Sequence, residues 1–149
     1  MKSLLILVVA LFGLNINAQI LEPVKWTFEA TELEEKGTYQ IDLIATVDEG
    51  WYVYSQEMDE GGPIPTSFEF YTGRSPVEIL TKIEEIGEAK EGIDPMFEIF
   101  IRKYANTVTF RTTVKSNGAQ SLEGELQYMC CDNSRCLPPE TVEFSIKLP

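Results

Sequence analysis

Apolar and polar residues alternate with period two along most of this chain, and that pattern limits what it can fold into. Val24, Trp26, Phe28 and Ala30 are separated by polar residues, and Tyr39, Ile41, Leu43, Ala45 and Val47 form a similar series. Val108, Phe110, Thr112 and Val114 repeat it, and Val142, Phe144, Ile146 and Leu148 close the chain with it. Successive side chains of a strand point to opposite faces, so each series predicts a strand with one buried face. Turn signals separate the series: Lys36-Gly37, Glu49-Gly50, Gly61-Gly62-Pro63, Thr72-Gly73, Asn117-Gly118 and Pro138-Pro139. Many short strands joined by such turns predict an all-β chain, an antiparallel β-sandwich of immunoglobulin type. Val77 to Ala89 reads two ways. Ile79 and Ile83 fit a strand, whereas Val77, Leu80, Ile83 and Ile86 fit a helix face. With no repeat, low-complexity tract or linker, one domain is the simplest account.

The first residues read as an export signal. Lys2 precedes an apolar run from Leu4 to Leu14, broken only by Gly13 and too short to settle across a bilayer. Asn15-Ile16-Asn17-Ala18 ends on a small residue, so residues 1–18 are expected to be a signal peptide and residues 19–149 the mature domain. The cleavage site has no cysteine, so no lipid anchor is indicated. A soluble, extracytoplasmic protein is expected.

The net charge is −12, which argues against nucleic acid and anionic membrane surfaces as partners. The chain has no histidine. That removes Ser-His and Cys-His catalytic pairs and the commonest metal ligand. Three cysteines alone leave a tetrahedral zinc site incomplete, so neither a metal nor a cofactor is expected.

The three cysteines, Cys130, Cys131 and Cys136, fall within seven residues. A disulfide closing so small a loop contributes only about 2 kcal/mol in the chain-entropy model. Weak stapling at a sharp turn suits a bond that opens and closes. Leu122, Leu126, Tyr128 and Cys130 share one parity; Glu123, Glu125, Gln127, Met129 and Cys131 share the other. Cys130 is therefore expected in the core, and Cys131 on the polar face, where it can meet Cys136 across Asp132 to Arg135. A Cys130–Cys136 bond is the alternative, and a strained vicinal Cys130–Cys131 bond is disfavoured.

The segment Tyr128-Met129-Cys130-Cys131, the short loop, and Cys136-Leu137-Pro138-Pro139-Glu140-Thr141 resemble the N-terminal periplasmic domain of the thiol:disulfide interchange protein DsbD. Counting from Tyr128 puts the first family cysteine on Cys131. Counting back from Cys136 with the longer family spacing puts it on Cys130. Gly50-Trp51-Tyr52-Val53-Tyr54 looks like the family strand whose tyrosines lie near the cysteine pair. Ile93-Asp94-Pro95-Met96-Phe97-Glu98 occupies the region of the family's cap loop, which makes Phe97 the candidate shield with Met96 behind it.

The resemblance implies thiol-disulfide exchange in the periplasm, with reducing equivalents passing between a membrane-embedded electron carrier of the DsbD type and thioredoxin-like proteins. The sequence stops at Pro149, without the membrane and C-terminal thioredoxin domains of full-length DsbD, so a stand-alone copy working with separate proteins is expected. By the same analogy Cys136 is the first to bond a partner and Cys131 resolves the bond. Tyr52, Tyr54 and Phe97 keep stray thiols away. Arg135 stabilises a thiolate at Cys136, while Asp132 and Glu140 oppose it. The competing expectation is a non-catalytic immunoglobulin-like binding domain in which the disulfide is a structural clip.

Overall fold

The structure, a computed structural model, describes residues 20–73 and 76–149. The expected signal peptide lies outside the described residues. Among the described residues every regular element is a strand. β1 (Val24–Glu32) and β2 (Thr38–Val47) form an antiparallel hairpin, and β2 pairs in turn with the long β7 (Phe100–Ser116). The alternation read from the sequence becomes cross-strand rows: Trp26–Ala45–Val108, Phe28–Leu43–Phe110 and Ala30–Ile41–Thr112. Of these, Ile41, Leu43, Ala45, Val108 and Phe110 are fully buried.

The facing sheet has the order β10 (Glu140–Lys147), β8 (Ser121–Tyr128), β4 (Ser67–Phe70). Leu122 pairs with Ile146 and Leu126 lies between Val142 and Phe68, all turned toward the first sheet. Aromatic rings close the gap. Trp26 lies 5.5 Å from Tyr128, 5.8 Å from Phe110 and 6.2 Å from Phe68, and Phe28 lies 5.1 Å from Phe144. Edge-to-face and tilted pairs at such distances add to simple area burial. The result is an immunoglobulin-like antiparallel β-sandwich.

The end of the molecule that carries the cysteines depends on β7, which is 17 residues long. Its C-terminal half carries β2 on one edge; its N-terminal half carries β3 (Tyr52–Tyr54) on that same edge. The other edge carries β5 (Val77–Ile79) and β6 (Glu84–Ile93). Between the halves Asn106 adopts a φ of 61°, and the β6 register shifts between Gly87 and Ala89. Such a bulge bends the strand and increases its twist. Gly87 fits there because a Cβ would lie 3.0 Å from the Thr107 carbonyl oxygen.

The ambiguous Val77–Ala89 stretch thus forms two strands rather than a helix, because β7 offers a free edge whose hydrogen bonds they complete. Glu85 on β6 locks the bend. Its carboxylate accepts hydrogen bonds from Tyr104 Oη at 2.6 Å, Gln56 N at 2.6 Å and Ser55 Oγ at 3.0 Å.

Gly124 marks the tightest contact between neighbouring strands of the smaller sheet. A Cβ there would fall 2.3 Å from the Glu69 carbonyl oxygen and 2.7 Å from the Phe144 ring. Gly124→Ala should therefore cost about 1–3 kcal/mol, the usual penalty for overpacking a core. Urea titration followed by tryptophan fluorescence measures it; an unchanged midpoint would mean that β4 and β8 are not packed this closely.

Candidate functional site

The site is set by which way side chains point from three short stretches of one sheet. The chain leaves the smaller sheet at Met129 and enters the larger one as β9 (Cys130–Cys131), which pairs with β3. In this register Cys130 lies opposite Val53, and Val53 opposite Tyr104. That row faces the main core, where Cys130 is 4% exposed and its thiol is free. Cys131 lies opposite Tyr52, and Tyr54 opposite Lys103. These residues occupy the other face of the same sheet.

Cys131 is joined to Cys136 by a disulfide, with the two Cα atoms 4.0 Å apart. Backbone bonds from Asp132 N to Arg135 O and from Leu137 N to Cys130 O, each 2.9 Å, close the intervening loop as a hairpin. The Asp132 carboxylate holds the turn by accepting from Ser134 N and Arg135 N, both at 2.8 Å. These two bonds keep its carboxyl below the usual carboxylate range. An Asp that bonds its own backbone two and three residues on is the reason this four-residue loop is so tight.

Cys131 does not emerge on a polar surface as its parity suggested. It is 2% exposed, in a second small apolar cluster with Tyr54 and Ile101, against which Met58, Ile99 and Cys136 pack. The face is opposite to that of Cys130, but residues from β7 and from the loop after β3 cover it. Cys136 is only partly buried, so the two sulfurs differ in access.

The loop between β6 and β7 closes the other side. The Asp94 carboxylate accepts from Met96 N at 2.9 Å and Phe97 N at 3.4 Å, and Glu98, at a φ of 58°, donates its N–H to the Asp94 carbonyl at 2.8 Å. Asp94, Met96 and Phe97 line a crevice of about 80 Å³ together with Tyr54, Cys131 and Asn133. Met96, expected behind Phe97, is the more exposed of the two at 46%, while Phe97 is half-buried.

Tyr54 is fully buried, and burial first, then the charge of Asp94, raises its phenol so far that it stays neutral. Tyr52 is half-buried, with the Lys103 and Lys90 ammonium groups 4.5 and 5.1 Å from its ring centre. Arg135 is exposed and turns toward Asp132 and Trp51. Its guanidinium pairs with Asp132 at 3.5 Å and lies 5.6 Å from the centre of the Trp51 ring. Glu140 accepts from the Tyr128 hydroxyl at 2.8 Å, and its charge acts on Cys130. Sequence reading missed Lys103, Ile99, Ile101 and Met58. Asp94 entered that reading only as part of the cap-loop segment, and nothing local distinguishes Lys103 from any other strand lysine.

A β-sandwich with a short-loop disulfide on the outer face of one sheet, flanked by a covering loop, defines an immunoglobulin-like thiol–disulfide interchange domain. The family model for the thiol:disulfide interchange protein DsbD, N-terminal, matches residues 17–148, and the chain belongs to that family. Its fold is shared with the crystal structure of the Neisseria meningitidis DsbD N-terminal domain in the reduced form. The TM-score is 0.56 at 15% identity, over 82% of this chain and 84% of that one. It is also shared with the N-terminal periplasmic domain of ScsB from Proteus mirabilis, at a TM-score of 0.55 and 19% identity. There 83% of this chain aligns with 45% of the other. Among curated proteins no sequence matches the chain.

Cys130 should be inert in the native protein. Burial first, and then the Glu140 charge, push its thiol up from 9.0 to about 11. Iodoacetamide at pH 8 should label it only after unfolding. The fold favours the neutral thiol, so its contribution to stability is full below pH 9 and is lost as pH rises toward 11. The stability difference between wild type and Cys130→Ala should shrink across that window. Rapid native labelling would contradict this placement.

Proposed function

We propose that this domain passes reducing equivalents between a membrane-embedded electron carrier and thioredoxin-like proteins, through the Cys131/Cys136 pair. The observation that carries the reading is the unequal access of two bonded sulfurs on one small hairpin: Cys136 partly exposed, Cys131 2% exposed under neighbouring loops. In the reduced domain the Cys136 thiolate attacks one sulfur of a partner disulfide. The partner's S–S bond breaks, its second sulfur leaves as a thiolate, and a mixed disulfide forms. The Cys131 thiolate then attacks Cys136 Sγ. This expels the partner's remaining sulfur and leaves the domain oxidised and the partner a dithiol. The same steps run backwards when a carrier dithiol reloads the domain. No cofactor takes part. Tyr52, Tyr54, Met96 and Phe97 shield the bond between encounters.

Arg135 pairs with Asp132 across the hairpin turn, and a bound partner supplies the rest of the environment that activates Cys136. We place the exchange in the periplasm, after removal of residues 1–18. The leader-like residues from Lys2 to Ala18 and the periplasmic ScsB domain of the same fold support that setting.

Cys131→Ser should let Cys136 trap a thioredoxin-like partner as a lasting mixed disulfide, and Cys136→Ser should abolish trapping. Neither change should unfold the domain, since a loop this short contributes only about 2 kcal/mol against typical domain stabilities of roughly 5–15 kcal/mol. Non-reducing gels of periplasmic extracts, run beside thermal melts, decide the matter. Sharply lowered melts with no trapped species would instead make the bond a structural clip.

A further inference from the structure

The covering loop is held by a part-buried ion pair that exchange chemistry does not require. Asp94 sits at the start of the loop, 7% exposed. One oxygen accepts from Met96 N and Phe97 N, and the other accepts from Lys103 Nζ at 3.2 Å. Lys103 lies in β7 opposite Tyr54, and its ammonium stands 4.5 Å from the centre of the Tyr52 ring. Tyr52 is the register partner of Cys131. One carboxylate therefore joins the tip of the β6–β7 hairpin to the row of side chains that carries the disulfide.

The charge is well founded. Burial disfavours the Asp94 carboxylate, yet the bonds from Met96, Lys103 and Phe97 together outweigh that cost and hold its carboxyl below the ordinary value. A buried carboxylate that loses such partners is costly unless it reaches water. Lifting the loop off the crevice thus means breaking the bond to Lys103. Tyr52 takes up the rest of the geometry by holding the ammonium over its face.

We propose that Asp94 and Lys103 form a latch that fixes the resting position of the Pro95–Phe97 segment beside Cys131, and that its opening sets how often the disulfide becomes available for exchange. The proposal rests on the exchange reading above. Both are positioning residues: they line the crevice beside Cys131, and each acts through the loop it holds. A latch of this kind changes the rates of reduction and reoxidation by the same factor and leaves the equilibrium between them where it was.

The test uses the full mature chain and dithiothreitol, whose small size makes the outcome independent of any protein partner. A failure of the latch is thereby distinct from a failure of exchange with thioredoxin-like proteins, which the trapping gels read. Asp94→Asn and Lys103→Met should each accelerate reduction of the Cys131–Cys136 bond by about tenfold, as expected for losing one charge-assisted hydrogen bond of the closed state. Lys103→Arg should stay close to the wild-type rate. The double variant should be no faster than either single one, because both remove the same contact. The equilibrium ratio with dithiothreitol should not move in any of them. Wild-type rates in Lys103→Met, or accelerations that multiply in the double variant, would overturn the latch. Should Asp94→Asn fail to fold, Lys103→Met and Lys103→Arg carry the test, since Lys103 is partly exposed and its stem can stay on the Tyr52 ring.

Discussion

The pleat of β9 decides what the cysteines do. Two adjacent cysteines on one strand cannot share a face. Pairing with Val53 and Tyr52 on β3 directs Cys130 into the main core and Cys131 to the opposite side. A one-residue slip of this register would exchange their roles, setting Cys131 among the core residues and offering Cys130 to Cys136. What holds the register is burial: the row Cys130–Val53–Tyr104 fills the core beneath the sheet. The placement of the disulfide on one face thus depends on hydrophobic packing on the other.

That strand exists only because the chain crosses from one sheet to the other at Met129, and because the N-terminal half of β7 carries β3, with which it pairs. The C-terminal half of β7 belongs to the sandwich and the N-terminal half to the site, with the bulge at Asn106 between them. Glu85 joins the halves through Tyr104, Ser55 and Gln56. The loops that flank the disulfide are accordingly anchored at their bases, and the cysteine hairpin and the loop beside it belong to separate segments of the chain.

The sandwich was legible because period-two alternation survives wherever one face of a strand is buried, as in the Trp26, Ile41, Phe110 and Phe144 series. The cysteine segment was legible because its residues lie together in sequence. The covering of Cys131 was not, because Ile101 in β7, Ile99 just before it and Met58 in the loop after β3 are distant from it in sequence and meet it only in the fold. Val77 to Ala89 read two ways for a related reason. It forms edge strands whose side chains are mostly exposed, so the apolar signal that separates a strand from a helix is weak there. Sequence proximity sets Arg135 beside Cys136, but it does not show that its guanidinium lies against Asp132 and Trp51 in space.

The account stands on the Cys131–Cys136 bond being made for exchange rather than for support. Its reduction potential tests that most directly, measured by equilibration of the mature domain with glutathione or dithiothreitol and counted by alkylation. An exchange-active bond should lie above about −300 mV, within reach of thioredoxin-like proteins near roughly −270 mV. A value well below about −300 mV, the range of structural disulfides in secreted proteins, would contradict the assignment.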